Sequence, residues 1–222
     1  YQWYRNGVSI NSANSATYTT TTSGNYYVVV NNSCTSEISS VATVTNNTDA
    51  VIVTQPAAVI TCAGTSASFS VAATGTNLTY QWSKNGTPIT GATSSILTLS
   101  NVQSAAAGTY SVVVTGACNN VTSNTVTLTV NEAIVLTTQP TSVAICAPNF
   151  ATLTVTASGT NPTYKWYNNG AEISGATSNT YTTTTTGNYY AVVSNACTSV
   201  TSALAALTNN TAAVIVTQPA AV

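Results

Sequence analysis

Apolar positions along the chain fall in short runs of Val, Ile, Leu and Tyr separated by Thr, Ser and Asn, never in long blocks. Several runs alternate: SASFSVAAT at 66–74, FATLTVTAS at 150–158 and VTLTV at 126–130. A period of two puts every second side chain on one face, which predicts half-buried strands. Asn-Gly lies between extended runs at Asn6-Gly7, Asn85-Gly86 and Asn169-Gly170. That dipeptide predicts a type I′ hairpin, because both central residues of the turn need positive φ. The chain is expected to be all-β.

The pattern repeats. Residues 1–59 align without a gap to 164–222, an offset of 163, with 40 of 59 positions identical. A more diverged unit lies inside that period, since YQW at Tyr1–Trp3 recurs as YQW at Tyr80–Trp82 and YKW at Tyr164–Trp166. Each unit is about 80 residues, the size of a small domain. The expected division is 1–48 (the later strands of a unit), 49–131, 132–211, and 212–222 as the first strand of a further unit. Every unit shares one order: a run ending in Gln-Pro, an alternating run, the Trp strand, the Asn-Gly turn, a Thr-rich strand, a Gly-x-Tyr strand, a Cys-containing turn and a last alternating strand. Seven or so short strands at this spacing predict a two-sheet sandwich.

These residues resemble immunoglobulin-like domains of the intermediate kind. Trp82 lies on the third strand, Tyr110 opens the sixth, and Gln55-Pro56 kinks the first. Val71 and Val112 stand where antibody domains carry their inter-sheet cysteines; the third unit matches with Val155, Trp166, Tyr189 and Ala191. The resemblance implies tandem immunoglobulin-like β-sandwiches in a linear array. Disulfide-free cores rich in Thr and Asn also resemble the repeat regions of very large cell-surface adhesins of Bacteroidota-type bacteria. That implies an extracellular location, at a bacterial surface or in a secreted filament.

Charge narrows the chemistry. Only 3% of the 222 residues are charged, three basic and four acidic, and there is no His. Glu37, Asp49, Glu132 and Glu172 are far apart in sequence, so general acid–base catalysis has little to work with. Arg5, Lys84 and Lys165 cannot neutralise a run of phosphates, so no nucleic-acid partner is expected. No stretch is long enough for a membrane-spanning helix. No enzyme activity, cofactor or metal is expected, although the junctions carrying Asp49 and Glu132 are the places to look for calcium. Lys84 and Lys165 lie near Asn residues, but an intramolecular Lys–Asn isopeptide bond is not expected, because it needs a buried acid beside the pair and only the third unit has one nearby, Glu172. The sequons at Asn46, Asn77, Asn85, Asn120 and Asn209 arise readily by chance in so Thr- and Asn-rich a chain.

Five cysteines fall into two classes with no zinc-type spacing. Cys62 and Cys146 each lie six residues after the Gln-Pro proline; Cys34, Cys118 and Cys197 lie in the turn before the last strand. In an immunoglobulin-like sandwich those turns sit at opposite ends, roughly 25 Å apart along a strand of about 8 residues. A disulfide spans at most about 7 Å between Cα atoms. Between consecutive domains the two kinds of turn face each other, so the expected bond joins Cys62 to Cys197 across the junction. Cys34, Cys118 and Cys146 would then have partners outside the 222 residues. The alternative is five reduced thiols in exposed turns.

Trp3, Trp82 and Trp166 are expected at the core position rather than in a sugar-stacking platform with Tyr1, Tyr80 and Tyr164, although the partial unit at 1–48, without its first two strands, is not expected to bury Trp3. Tyr26, Tyr110 and Tyr189 are expected to be corner tyrosines. Tyr4, Tyr27 and Tyr190 are the candidates for outward contacts. The expected partners are neighbouring domains of the same chain, lateral copies, or a surface or glycan ligand. The expected function is a non-catalytic stalk or filament with adhesive duty, the alternatives being a ligand-binding module or accessory domains of a secreted enzyme.

Overall fold

The computed structural model describes residues 1–146, 148–210 and 213–217. Two complete sandwiches follow a half-sandwich along the chain. In the first complete one, the larger sheet runs in the order Thr87–Pro88, Thr79–Lys84, Gly108–Thr115, Val126–Asn131, Val59–Cys62, with Asn120–Thr122 also paired to Gly108–Thr115. Ala67–Ser70 paired with Ile96–Leu99, and Val51–Thr54 paired with Ala72–Thr74, make up the opposing layer. The second sandwich repeats this with Ala171–Glu172, Thr163–Asn168, Gly187–Ser194, Ala205–Asn210 and Val143–Cys146. In the half-sandwich only the larger sheet is present, built on Gln2–Arg5 and Gly24–Asn31. The run at 214–219, expected to start a further unit, lies partly outside the described residues; 213–217 form no strand.

Alternation becomes burial as the pleat requires. Ala67 and Phe69 are buried while Ser68 and Ser70 are exposed. Along Gly108–Thr115 the side chains of Tyr110, Val112 and Val114 point into the core. Trp82 and Trp166 are fully buried, and each indole N–H donates to a backbone carbonyl twelve residues on, Ser94 and Ser178, both at 2.9 Å. Burying a donor without such a partner would cost about 1–3 kcal/mol. Trp3 makes the same bond to Ser15 but stays half-exposed, because the half-sandwich has no opposing layer over it. Val71, Val112, Val155 and Ala191 are 0–5% exposed, so apolar packing fills the places of the inter-sheet cystine.

Three local devices recur. The Asn-Gly turns have positive φ at both residues, for example 49° at Asn85 and 80° at Gly86. Each turn Asn then accepts a hydrogen bond from the N–H that follows the Gly-x-Tyr glycine, Asn85 from Thr109 at 2.9 Å and Asn169 from Asn188 at 3.0 Å. The corner hydroxyls of Tyr26, Tyr110 and Tyr189 donate to carbonyls four residues back, all at 2.7 Å. Burial pushes the Tyr110 phenol above its usual range. Finally, Gln-Pro moves the first strand between sheets. Val51–Thr54 pairs with one layer, and past Pro56 the strand Val59–Cys62 runs parallel to Val126–Asn131 in the other. Pro has no N–H to give either ladder, and Gln55 holds the crossing by accepting the Asn124 N–H at 2.9 Å, as Gln139 does from Ala203.

Candidate functional site

The crossing strand ends at a cysteine. Cys62 pairs in register with Asn131, the last residue of the strand that leads out of its sandwich. Leaving Asn131, the chain runs through Glu132, Ala133 and Ile134 into the next sandwich, where it is held closely. The Glu132 N–H donates to Thr160 Oγ1 at 2.8 Å, and Asn195 Nδ2 donates to the Glu132 carbonyl at 2.7 Å. The Ile134 N–H donates to Thr198 Oγ1 at 2.7 Å, and Ile134 itself is buried. Ser104, in the preceding sandwich, donates to the Glu132 carboxylate. Gly159 has φ +115° and lies so close to the linker that a Cβ there would stand 2.6 Å from the Ala133 carbonyl oxygen. Only glycine tolerates both conditions.

The turn that carries Asn195 and Thr198 also carries Cys197. Cys62 and Cys197 form a disulfide with Cα atoms 5.7 Å apart and a sequence separation of 135. Hence one covalent bond and a set of linker hydrogen bonds join the two sandwiches at the same junction. Cys34, Cys118 and Cys146 are free and exposed.

The preceding junction uses equivalent groups. Thr48 N–H donates to Thr76 Oγ1 at 2.9 Å, Ala50 N–H to Asn119 Oδ1 at 2.6 Å, and Asn119 Nδ2 returns a bond to the Ala50 carbonyl at 3.2 Å. Asp49 therefore lies within a linker held through its neighbours' backbone, and Glu132 within the other. Among the described residues, no group of three His, Cys, Asp or Glu side chains converges on either place or elsewhere.

A second feature lies on the outward face of the larger sheet. Tyr167 and Tyr190 are cross-strand partners, stacked with centroids 4.9 Å apart and planes 1° from parallel. Tyr4 and Tyr27 stack identically, at 4.9 Å and 3°. Leu204 and Val41, one period apart, are also exposed, each just before the last strand of its unit. The middle sandwich has Ser83 opposite Ser111 instead. Tyr167 was missing from the sequence candidates; its place one residue after the core Trp is the signal that identifies it, because adjacent strand residues face opposite ways. Lys165 and Glu172 form an exposed ion pair at 3.0 Å beside it, and the Tyr167 hydroxyl donates to Glu172 at 3.3 Å. The hydrogen bond and charge of Lys165 hold the Glu172 carboxyl below its usual range; Glu172 in turn raises the Lys165 ammonium. Desolvation first, then the Glu172 charge, raises the Tyr167 phenol. Tyr1, Tyr80 and Tyr164 share the inward side with the tryptophans, and Tyr80 and Tyr164 pack against the cores.

Two shallow hollows, about 370 Å³ along Arg5–Ile10 and about 280 Å³ lined by Ile173–Ser178 and Thr180–Thr182, bring no acid and base together.

Residues 50–130 match the family model of the immunoglobulin I-set domain. The chain is a tandem array of immunoglobulin-like domains. Among solved structures it is similar to an I-band fragment of titin, at 16% identity, covering 94% of this chain and 87% of that one with a TM-score of 0.69. It is also similar to immunoglobulin domains 1–5 of Sidekick-1 (20% identity, 94% of this chain and 53% of that one, TM-score 0.63). A third similar structure is extracellular domains 3–5 of Drosophila OTK (16%, 94% and 84%, TM-score 0.56). At these identities the likeness is one of fold. No curated protein matches the sequence.

Proposed function

We propose that this immunoglobulin-like array is a non-catalytic section of a long extracellular stalk or filament at a bacterial surface, with mechanical and adhesive duty. The observation that supports this most is the junction: a linker bonded by its backbone to the next domain, with a disulfide between the same two domains. Two attachments at separate points resist bending and twisting as one flexible linker does not. A disulfide suits an oxidising compartment, and a surface of Thr, Ser and Asn with few charges makes lateral contacts insensitive to salt. The bacterial setting rests on the resemblance of these Thr- and Asn-rich domains without core cystines. If each domain advances about 40 Å, the 163-residue period appears as an axial repeat of about 80 Å. Small-angle scattering and electron microscopy of the oxidised chain measure this; a collapsed or freely bent particle would refute the rod. Fractionation of the source cells tests the location.

The outward tyrosines favour a second reading, a binding face for a neutral ligand such as a glycan. Glycan-array binding that is lost in Tyr167→Ala with Tyr190→Ala, while the fold persists, would support it.

A further inference from the structure

Cys34 precedes Cys118 by 84 residues and Cys62 precedes Cys146 by 84, while Cys118 precedes Cys197 by 79, which completes the 163-residue period. Cys146 ends its strand opposite Asn210 in parallel register, as Cys62 does opposite Asn131. Cys118 stands beside Asn119, which holds the Ala50 backbone, just as Cys197 stands beside Thr198, which holds Ile134. The positions that are bonded at one junction are therefore present, unbonded and exposed, at the places where the preceding and following junctions fall.

Resting on the tandem-array reading, we infer that the Cys62–Cys197 bond is one rung of a continuous ladder, and that a second type of rung joins Cys146 to a Cys118-type turn in the next period. Cys34 is the earlier period's counterpart of Cys197, since the two lie 163 residues apart. Its partner is a Cys62-type residue. Shifting Cys118 forward by one period sets it 135 residues after Cys146, the separation of the bond already present. Each rung forms as two thiols lose two protons and two electrons to glutathione disulfide, which leaves as two glutathione thiols. The finished array would be stapled at every junction, alternately by the two cysteine pairs.

The repeat itself supplies the test. A two-period chain with residues 1–163 followed by residues 1–222 keeps the register, because Tyr1 then takes the place of Tyr164. This chain has nine cysteines. After refolding in a glutathione redox buffer, iodoacetamide labelling and chymotryptic mapping should find three reactive thiols. Linked peptides should join Cys146 to Cys118, Cys62 to Cys34 and Cys62 to Cys197; replacing Cys34 and Cys118 of the first period and Cys146 of the second by serine, which leaves one period as the source of each of these three, should keep the same three links and leave no reactive thiol. Five or seven reactive thiols, or a bond between two cysteines of one class such as Cys34 to Cys118, would overturn the ladder. The 222-residue chain is the control: three reactive thiols are expected, and five would overturn the clamped junction itself, a different failure from the ladder's.

Discussion

Replacing Cys62 and Cys197 together by serine removes the staple and leaves no unpaired thiol behind. The bond closes a loop of 135 residues. In the chain-entropy description, that loop costs the unfolded ensemble about 17 cal/mol/K, or about 5 kcal/mol at 25 °C. The loop runs from the first sandwich through most of the second, so the loss is shared between them. For a folded unit of about 160 residues, 1 kcal/mol corresponds to about 2–4 °C, and the double variant should melt roughly 10–20 °C lower. It should also unfold in two steps, because the hydrogen bonds at the linker are a weaker coupling than the covalent one. Guanidinium titration of both proteins, followed by indole fluorescence, measures the midpoints and slopes. A summed loss under about 1 kcal/mol, with the transitions unchanged in number, would refute the view that this bond couples the two sandwiches.

Other outcomes follow from the core, the junction and the outward face. Trp166→Ala should cost about 3–5 kcal/mol, since it empties a fully buried site, whereas Trp3→Ala should cost much less; equilibrium denaturation with separate probes tests the contrast. Gly159→Ala pairs a positive φ with a clash against the linker, and should lower stability by about 1–3 kcal/mol and broaden the interdomain angles seen by scattering. An unchanged scattering profile and melting point would show that the linker is not held there. A double-mutant cycle on Lys165 and Glu172 should show a small, salt-sensitive coupling. Because the Glu172 pKa is lowered on folding, its share is present above the unfolded carboxyl value of about 4.3 and fades as pH falls through the folded one. The Lys165 pKa is raised, so its share is present below the unfolded value of about 10.4 and fades as pH rises through the folded one. Coupling that persists at pH 2 would contradict the assignment.

Much of this molecule was legible because its signals are local. Alternation in SASFSVAAT, positive φ at Asn85-Gly86 and the missing N–H of Pro56 each act within a few residues, so the strands, the hairpins and a kink at Gln55-Pro56 could be named from the chain, whereas the passage of the first strand from one sheet to the other could not. The 163-residue repeat marked equivalent positions, and the reach of a disulfide ruled out pairing the two cysteine classes inside one sandwich. The tertiary structure alone decided what lies across space from what. Asn195 reaches Glu132 over 63 residues and Asn119 reaches Ala50 over 69. No pattern in either segment signals such a meeting, because sheet twist and the heights of the turns above the sheet determine it. The same holds for Tyr167 and Tyr190: strand alternation sends both outward, but only the register of their strands sets them opposite each other and lets their rings stack.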